Sequence, residues 1–246
     1  MSKTLLWNLE GLVLKTILFD LDGTLLPMNL EKFMKLYLDA LTEKFKPYLE
    51  PGLFKEKLWI ATKAMISNSG KTKSNEEVFM ETFAKDLPIK KEKAWFLFDH
   101  FYSNEFSLVK KSTWQDPNMI ESVKVLKEKQ YSLVVATNPL FPQNAVYERI
   151  RWAGLNPDDF LYITTFEIMH AAKPNTEYYE EILDRLKLSS EEVLMVGNDA
   201  LEDLAAAEIG ISTYLLTDHL LNKDKQKNTP DLESNSDEFL KFVKAL

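Results

Sequence analysis

The chain has 246 residues, 45% of them hydrophobic, with a formal net charge of −8 and no cysteine. This composition is typical of a globular protein with one large domain or two small ones. The acidic balance argues against a general nucleic-acid-binding protein, and the lack of cysteine excludes disulfides and thiolate metal sites. Only three of the basic residues are arginines, so we expect lysines to bind anionic ligands.

No segment is typical of a membrane protein. The N-terminal stretch MSKTLLWNLEGLVLK is interrupted by Asn8 and Glu10 and has no small-residue cleavage pattern, so we expect no signal peptide. No run approaches the ~20 apolar residues that a membrane-spanning helix needs. We therefore expect a cytoplasmic protein that is a monomer or small homo-oligomer and has neither membrane nor nucleic-acid partners.

Five short apolar runs, rich in β-branched or aromatic residues, are predicted as strands: residues 16–19, 131–136, 161–165, 193–196 and 211–216. Amphipathic patterns predict helices at residues 117–129, 143–152, 176–186 and 201–208. Strands that alternate with helices indicate an α/β fold, a Rossmann-like parallel sheet with helices on both faces.

The first predicted strand is followed by a long segment without any strand-like run. Helical patterns fill it at residues 30–48, 54–66, 75–85 and 90–106. A crossover connection needs only one helix, so we expect an inserted α-helical domain at residues 28–112, beside a core domain of residues 1–27 and 113–246. The polar residues 222–238 predict a loop, and residues 239–246 predict a last short helix.

The stretch ILFDLDGTLL at residues 17–26 fits two interpretations. Asp22 and Gly23 can form the tight turn of a β-hairpin. Alternatively, Asp20 and Asp22 share one face of an extended segment at the carboxyl end of a parallel strand, where ligands gather. Two neighbouring carboxylates disfavour joint ionisation, which lets one stay charged while the other carries a proton.

Thr137 and Asn138 follow the second predicted strand, and Lys173 follows the third. Threonine and asparagine usually cap the next helix at such positions, but a hydroxyl and amides can also bind an anionic oxygen. A lysine in a lysine-rich chain is usually a surface charge, although at a strand end its ammonium can reach charges gathered there. His170 lies in the same loop as Lys173, and we assign it no catalytic role.

The fourth predicted strand is followed by Asn198, Asp199 and, one helical turn later, Asp203. Acidic residues are favourable at a helix N-terminus, which explains this placement without any ligand. The same oxygens are also suitable ligands for Mg²⁺, which usually takes one or two carboxylates and keeps several waters.

Together, the four strand ends resemble the haloacid dehalogenase superfamily of aspartate-nucleophile phosphatases and phosphotransferases. DLDGT at residues 20–24 matches its first motif, Thr137 its second, Lys173 its third, and GND...D at residues 197–203 its fourth. The resemblance covers residues 15–216, and the helical insertion is similar to the C1 cap of that family.

The resemblance implies a phosphatase, a hydrolase of phosphoric monoesters that acts on a small phosphorylated metabolite. Asp20 would be the nucleophile and Asp22 the general acid and base; Thr137, Asn138 and Lys173 would bind the phosphoryl group; and Mg²⁺ would be held by Asp20, the Asp22 carbonyl and Asp199. Asn198 stands where many relatives have the first acidic residue of the fourth motif, so Asn198 and Asp203 are secondary ligands or orienting groups. Intact Asp22 argues against the dehalogenase branch.

Three alternatives stay open at this point. A phosphomutase would use the same residues and return the phosphoryl group to its product. A phospho-acceptor regulatory domain combines similar residues but is much shorter, and a non-catalytic phosphate-binding protein would not need the full set.

The insertion is expected to set specificity by closing over the strand ends. Its aromatic segment AWFLFDHFY at residues 94–102 favours a helix-bundle core over a substrate wall. Lys71 and Lys73 lie in a polar loop that could meet an anionic substrate, although a solvated loop is the simpler interpretation. GKT at residues 70–72 is not a phosphate-binding P-loop, because residue 65 is methionine and no strand precedes it.

Overall fold

A computed structural model describes residues 14–69 and 72–246, so Lys71 and most of the GKT tripeptide lie outside the described residues. Six strands form one parallel sheet in the order β3-β2-β1-β4-β5-β6. They are β1 (Thr16–Phe19), β2 (Ser132–Val135), β3 (Tyr162–Ile163), β4 (Val193–Gly197), β5 (Ser212–Leu216) and β6 (Leu232–Ser234). The predicted α/β fold with a parallel sheet is confirmed.

β1 occupies the centre of the sheet, between β2 and β4. Its residue Ile17 lies opposite Leu133 of β2 and Leu194 of β4. All four residues of β1 are buried, which accounts for its continuous apolar run, because a central parallel strand is covered on both faces. This position places the residues that follow β1 at the middle of the carboxyl edge.

The residues after β1 form a tight turn but no hairpin. The Leu26 N–H donates to the Leu21 carbonyl at 2.8 Å, and the Gly23 N–H donates to the Leu26 carbonyl at 2.9 Å. Gly23 has φ +89°, and a Cβ there would lie 2.4 Å from Asn198 Nδ2, so glycine is required. The chain then enters a helix, and both neighbours of β1 are parallel strands, so the hairpin interpretation is wrong.

Four helices fill the insertion at residues 28–112, as predicted. They are α1 (Leu30–Phe45), α2 (Pro51–Ile66), α3 (Asn75–Ala84) and α4 (Lys91–Asn104), followed by a 3₁₀ helix at Phe106–Ser112. Helix α2 begins three residues before the predicted start, because Pro51 suits the first helical position and the Glu50 side chain caps it, accepting from the Leu53 N–H at 2.9 Å.

The insertion has an aromatic core of its own. The rings of Phe45 and Phe54 stack at 4.7 Å, and Phe83 meets Phe98 edge to face at 4.9 Å. In the segment AWFLFDHFY the buried residues are Ala94, Leu97, Phe98, Phe101 and Tyr102. Helix α4 therefore turns one face into this core, as the core interpretation of the segment expected.

Asn75, the first residue of α3, attaches the insertion to the sheet domain. It is fully buried. Its Nδ2 donates to the Ala171 carbonyl at 3.0 Å and to the Pro139 carbonyl at 3.4 Å, and its N–H donates to the Met169 carbonyl at 2.8 Å. The inserted helices are thus anchored to the loops that follow β2 and β3.

Helices cover both faces of the sheet, as predicted. On one face pack α5 (Pro117–Glu128), α6 (Gln143–Trp152), α8 (Ser236–Ala245) and the insertion, and on the other face packs α7 (Thr176–Leu186). Within the described ranges, no helix is long and apolar enough to cross a membrane.

Two predictions near the C-terminus are wrong. Residues 201–208 do not form an α-helix: a turn in which Asp199 Oδ1 accepts from the N–H groups of Leu201 and Glu202 is followed by a 3₁₀ helix at Asp203–Ile209. Residues 222–238 are not only loop, since Leu232–Ser234 forms the edge strand β6 and α8 already begins at Ser236. In β6 only Leu232 is buried, so no apolar run marked it.

Candidate active site

Asp20, Lys173 and Asp203 come together beyond the carboxyl edge of the sheet, and we call them the buried lysine cluster. Lys173 Nζ donates to Asp20 Oδ1 at 3.0 Å and to Asp203 Oδ1 at 2.6 Å. The lysine is fully buried, and the two aspartates are 8% and 2% exposed. Lys173 is therefore no surface charge, and its ammonium sits between two carboxylates.

Burial and mutual attraction set the charges of this cluster. Burial tends to lower the pKa of Lys173, but the carboxylates of Asp20 and Asp203 outweigh that effect, and its pKa is raised well above the ordinary value. Burial raises the pKa of Asp20 and raises that of Asp203 to about 7, each opposed by Lys173. One charged ammonium is thus shared by two unusually basic carboxyl groups.

Gly197, the last residue of β4, makes room for this arrangement. A Cβ at Gly197 would lie 2.1 Å from Asp203 Oδ2, which no side chain can tolerate. The same Asp203 oxygen accepts from the Asp199 N–H at 2.9 Å. The glycine of the fourth motif therefore allows Asp203 to fold back against the strand and reach Lys173.

Asp22 has a different partner, which the sequence analysis missed. Arg149 Nη1 donates to Asp22 Oδ2 in a short ion pair. Arg149 is fully buried, with its guanidinium carbon 4.3 Å from the centre of the Phe141 ring. The sequence signal was the position of Arg149 four residues after Ala145, on the apolar face of α6. The two aspartates of DLDGT therefore face separate cations, Lys173 and Arg149.

Thr137 and Asn138 lie beside the cluster, at the end of β2. The Thr137 carbonyl accepts from Thr164 Oγ1 at 2.7 Å and from the Tyr178 hydroxyl at 2.9 Å, which fixes the backbone at this point. Asn138 Nδ2 donates to Glu202 Oε2 at 2.9 Å. Within the described ranges, Asn138 Oδ1 is buried without a hydrogen-bond partner.

The side chain of Glu202 makes stability depend on pH. Burial raises the pKa of Glu202 from 4.5 to about 8, so the folded state holds this proton more tightly than the unfolded state. We expect unfolding free energy to fall by about 3–4 kcal/mol between pH 5 and pH 8 through this group. Glu202→Gln should remove that part of the decrease in urea denaturation with chelator. An equal pH dependence in wild type, Glu202→Gln and the exposed control Glu180→Gln would contradict the assignment.

The side chains of Asn198 and Asp199 form hydrogen bonds with neighbouring loop residues. Asp199 Oδ1 accepts from the N–H groups of Leu201 and Glu202 at 2.9 and 3.0 Å, and Oδ2 accepts from Asn222 Nδ2 at 2.6 Å. Asn198 Oδ1 accepts from Thr24 Oγ1 at 2.9 Å. In residues 14–69 and 72–246, no three acidic or histidine side chains form a metal-binding group. Metal ligation by Asp199 stays a prediction.

His170, to which no catalytic role was given, has a structural environment. Its Nδ1 lies 2.8 Å from Glu181 Oε1, and its N–H donates to Glu181 Oε2 at 2.9 Å. Arg185 Nη2 donates to the same Glu181 carboxylate at 2.7 Å. The group joins α7 to the loop after β3.

An aromatic cavity of about 590 Å³ lies between the inserted helices and two loops of the sheet domain, at residues 140–144 and 166–167. Its walls carry eight aromatic side chains, including Trp59 and Trp95, which are 60% and 47% exposed. Among the described residues, none of the predicted catalytic and phosphate-binding residues lines it.

Comparisons with known proteins agree with this fold. The chain is 25% identical to the pyrophosphatase PpaX of Halalkalibacterium halodurans over 206 residues. This alignment covers 82% of this chain and 83% of PpaX. The structure of a HAD phosphatase from Thermococcus onnurineus is 22% identical with a TM-score of 0.57, covering 94% of this chain and 98% of that one. The HAD-hydrolase YfnB from Bacillus subtilis, bound to magnesium, is 20% identical with a TM-score of 0.56 and the same coverage.

The two structural similarities show the fold, while the family follows from the sequence itself. Residues 17–216 match the model of the haloacid dehalogenase-like hydrolases. This range contains all four strand ends that form the site, from Asp20 after β1 to Asp203 after β4. The chain belongs to the family of haloacid dehalogenase-like hydrolases.

Proposed function

We propose that the protein is a Mg²⁺-dependent phosphomonoester hydrolase that forms an aspartyl-phosphate intermediate on Asp20. The observation that carries this proposal is the fully buried ammonium of Lys173, held 3.0 Å from Asp20 and 2.6 Å from Asp203. Burying a charged lysine between two carboxylates costs desolvation free energy and contributes little to stability, so we infer that the group is kept for its chemistry. The phosphatase and the pyrophosphatase among the similar proteins support the coarser class, transfer of a phosphoryl group to water.

In this proposal Asp20 attacks the phosphorus of the ester. Lys173 binds Asp20 Oδ1, which leaves Oδ2 as the attacking oxygen. A covalent intermediate divides one difficult displacement into two easier ones. Thr137, Asn138 and Lys173 bind the phosphoryl oxygens and stabilise the charge that develops on them.

Asp22 protonates the leaving oxygen and then takes a proton from the water that hydrolyses the intermediate. Arg149 positions Asp22 for both steps, because it binds Oδ2 and leaves Oδ1 without a partner in the described chain. The carboxylate is thereby fixed in one orientation, with one oxygen available for proton transfer.

The residues present fit Mg²⁺. The oxygens of Asp20, the Asp22 carbonyl and Asp199 are of the kind that a hard cation prefers, and Asn138 Oδ1 is a buried acceptor that no donor of the described residues satisfies. The Asp20 carboxylate, the Asp22 carbonyl and Asp199 would hold the ion, with Asn198 and Asp203 as secondary ligands or orienting groups. Bound Mg²⁺ would neutralise charge on the transferring phosphoryl group.

Residues 28–112 act in this proposal as the cap domain, and a small phosphorylated metabolite is the substrate. The attachment of Asn75 to the loops after β2 and β3 supports this, because those loops carry Asn138 and Lys173. A cap fixed there can exclude water from the strand ends.

The proposal is tested by phosphate release from 4-nitrophenyl phosphate with Mg²⁺ and with chelator. We expect activity only with the metal, and a loss of at least about a thousandfold in Asp20→Asn. Asp237→Asn, an exposed aspartate on α8, is the matched control and should retain full activity. Metal-independent release, or equal activity in Asp20→Asn, would refute the mechanism. Product analysis with a range of phosphorylated metabolites would distinguish hydrolysis from phosphoryl return by a mutase.

A further inference from the structure

The aromatic cavity has the size of a small-molecule site. Its volume of about 590 Å³ falls within the ~300–1,000 Å³ typical of ligand pockets. Its shape is stabilised by contacts between its own lining residues: the Tyr37 and Tyr102 hydroxyls lie 2.6 Å apart, and the Phe79 and Phe98 rings meet edge to face at 5.4 Å. The cavity is therefore formed by the folded chain before any ligand arrives.

Carboxylates outnumber ammonium groups among the described side chains that line the cavity, while two further cations contact its rings, Lys63 at Trp59 and Arg149 at Phe141. Among the described residues, three carboxylates, those of Glu76, Asp99 and Glu167, lie in its walls, against one lining ammonium, that of Lys55. Glu167 Oε1 accepts from the Gln143 N–H at 2.8 Å. Its other oxygen, Oε2, is buried and has no hydrogen-bond partner in the described part of the chain. A buried, incompletely paired carboxylate favours a cation nearby.

The aromatic side chains favour the same kind of ligand. A cation is attracted to the face of an aromatic ring, most strongly to tryptophan. The ring of Trp59 already attracts one, since Lys63 Nζ lies 5.0 Å from its centre. The indole of Trp95 is held in place by its hydrogen bond to Glu76 Oε1 at 2.8 Å. Ring faces and carboxylates thus surround one apolar space.

We propose that the aromatic cavity binds a small organic cation, an amine or ammonium group on an apolar body, at a site separate from the buried lysine cluster. The apolar body fills the aromatic space, and its positive charge offsets the carboxylate of Glu167. The site is separate because Asp20, Asp22, Thr137 and Lys173 do not line the cavity within the described residues.

Titration calorimetry of the full chain with three probes of similar shape tests the charge preference. The probes are 2-phenylethylamine, 2-phenylethanol and 3-phenylpropanoate, which are cationic, neutral and anionic at pH 7. We expect the amine to bind about tenfold more tightly than the alcohol, and the anion to bind most weakly. Equal affinity for amine and alcohol, or no saturable binding of the amine, would overturn the proposal.

Variants locate the site. Glu167→Gln should abolish the preference for the amine, whereas Glu128→Gln, the same change at an exposed position of α5, should not affect it. Trp95→Ala, at a half-exposed side chain, should weaken the binding of both amine and alcohol. Asp20→Asn should bind the amine as tightly as wild type does; loss of binding there would show that the site is not separate. Calorimetry needs no turnover, so its outcome is independent of the proposed hydrolase activity.

Discussion

Lys173→Met is expected to lower the free energy of unfolding by about 3–5 kcal/mol near pH 7.5. The variant removes the only cation that contacts Asp20 and Asp203 in the described residues, and it leaves two carboxyl groups facing each other in a buried site. Their pKa values, already raised by burial, should rise further, because the opposing effect of the ammonium is lost. Urea denaturation with chelator measures the change.

The stability defect of Lys173→Met should depend on pH, because Asp20 and Asp203 have raised pKa values in the folded state. A carboxyl group with a raised pKa in the folded state binds its proton more tightly there, so lowering the pH stabilises the fold. The defect of Lys173→Met should therefore be smaller at pH 5.5 than at pH 7.5. Lys241→Met, which breaks exposed ion pairs with Asp237 and Glu238, should change stability far less. If Lys173→Met were as stable as Lys241→Met, the cluster would not have the charges assigned to it.

Arg149→Met is expected to reduce activity strongly while changing stability little. Methionine replaces a buried charge by an apolar side chain of comparable length, and the partner carboxylate of Asp22 is 29% exposed and can be hydrated. We expect unfolding free energy to change by no more than about 1–2 kcal/mol. Hydrolysis of an alkyl phosphate should slow about 100-fold, because Asp22 is no longer held for proton transfer.

Comparing esters with different leaving groups shows whether Arg149 acts by positioning Asp22 or whether its loss impairs the whole site. 4-Nitrophenolate leaves without a proton, so Arg149→Met should lose much less activity on 4-nitrophenyl phosphate than on the alkyl ester. Asp22→Asn should show the same pattern, and adding Arg149→Met to it should cost little more. Arg151→Met, two residues along α6 and exposed, is the matched control. A uniform loss on both esters would show that Arg149 does not act through Asp22.

Much of the fold could be predicted from local patterns. Helices α6 and α7 match their predicted limits, and five strands were found within a few residues of their ends, because buried runs and amphipathic faces depend on nearby residues. The strand β6 could not be found in this way, since its pairing with β5 rather than its composition makes it a strand. The turn before the 3₁₀ helix at Asp203–Ile209 likewise depends on side-chain contacts, those of Asp199 with the N–H groups of Leu201 and Glu202.

In the candidate site, too, some features could be predicted from local sequence and others depend on distant contacts. Asp20 and Lys173 could be expected to meet, because both follow parallel strands, and the structure brings them into contact. Arg149 could be assigned to the apolar face of α6, but its pairing with Asp22 could not be predicted, because the two residues are far apart in the sequence. The roles of Asp199 and Asn198 stay predictions, since their present hydrogen bonds are to loops and to Thr24.

The central position of β1 has a consequence for how the protein is made. Thr16 pairs with Ser132 and Val193, and the contact between Asp20 and Lys173 joins residues 153 positions apart. Such contacts form late in folding, because the entropy cost of closing a long loop must be overcome before the contact can stabilise the chain. During synthesis from the N-terminus, β1 is therefore exposed as an unpaired apolar strand until β2 and β4 have emerged. A chain that stops before β4 leaves one edge of β1 unpaired and lacks Asp203, one of the two carboxylates that bind Lys173.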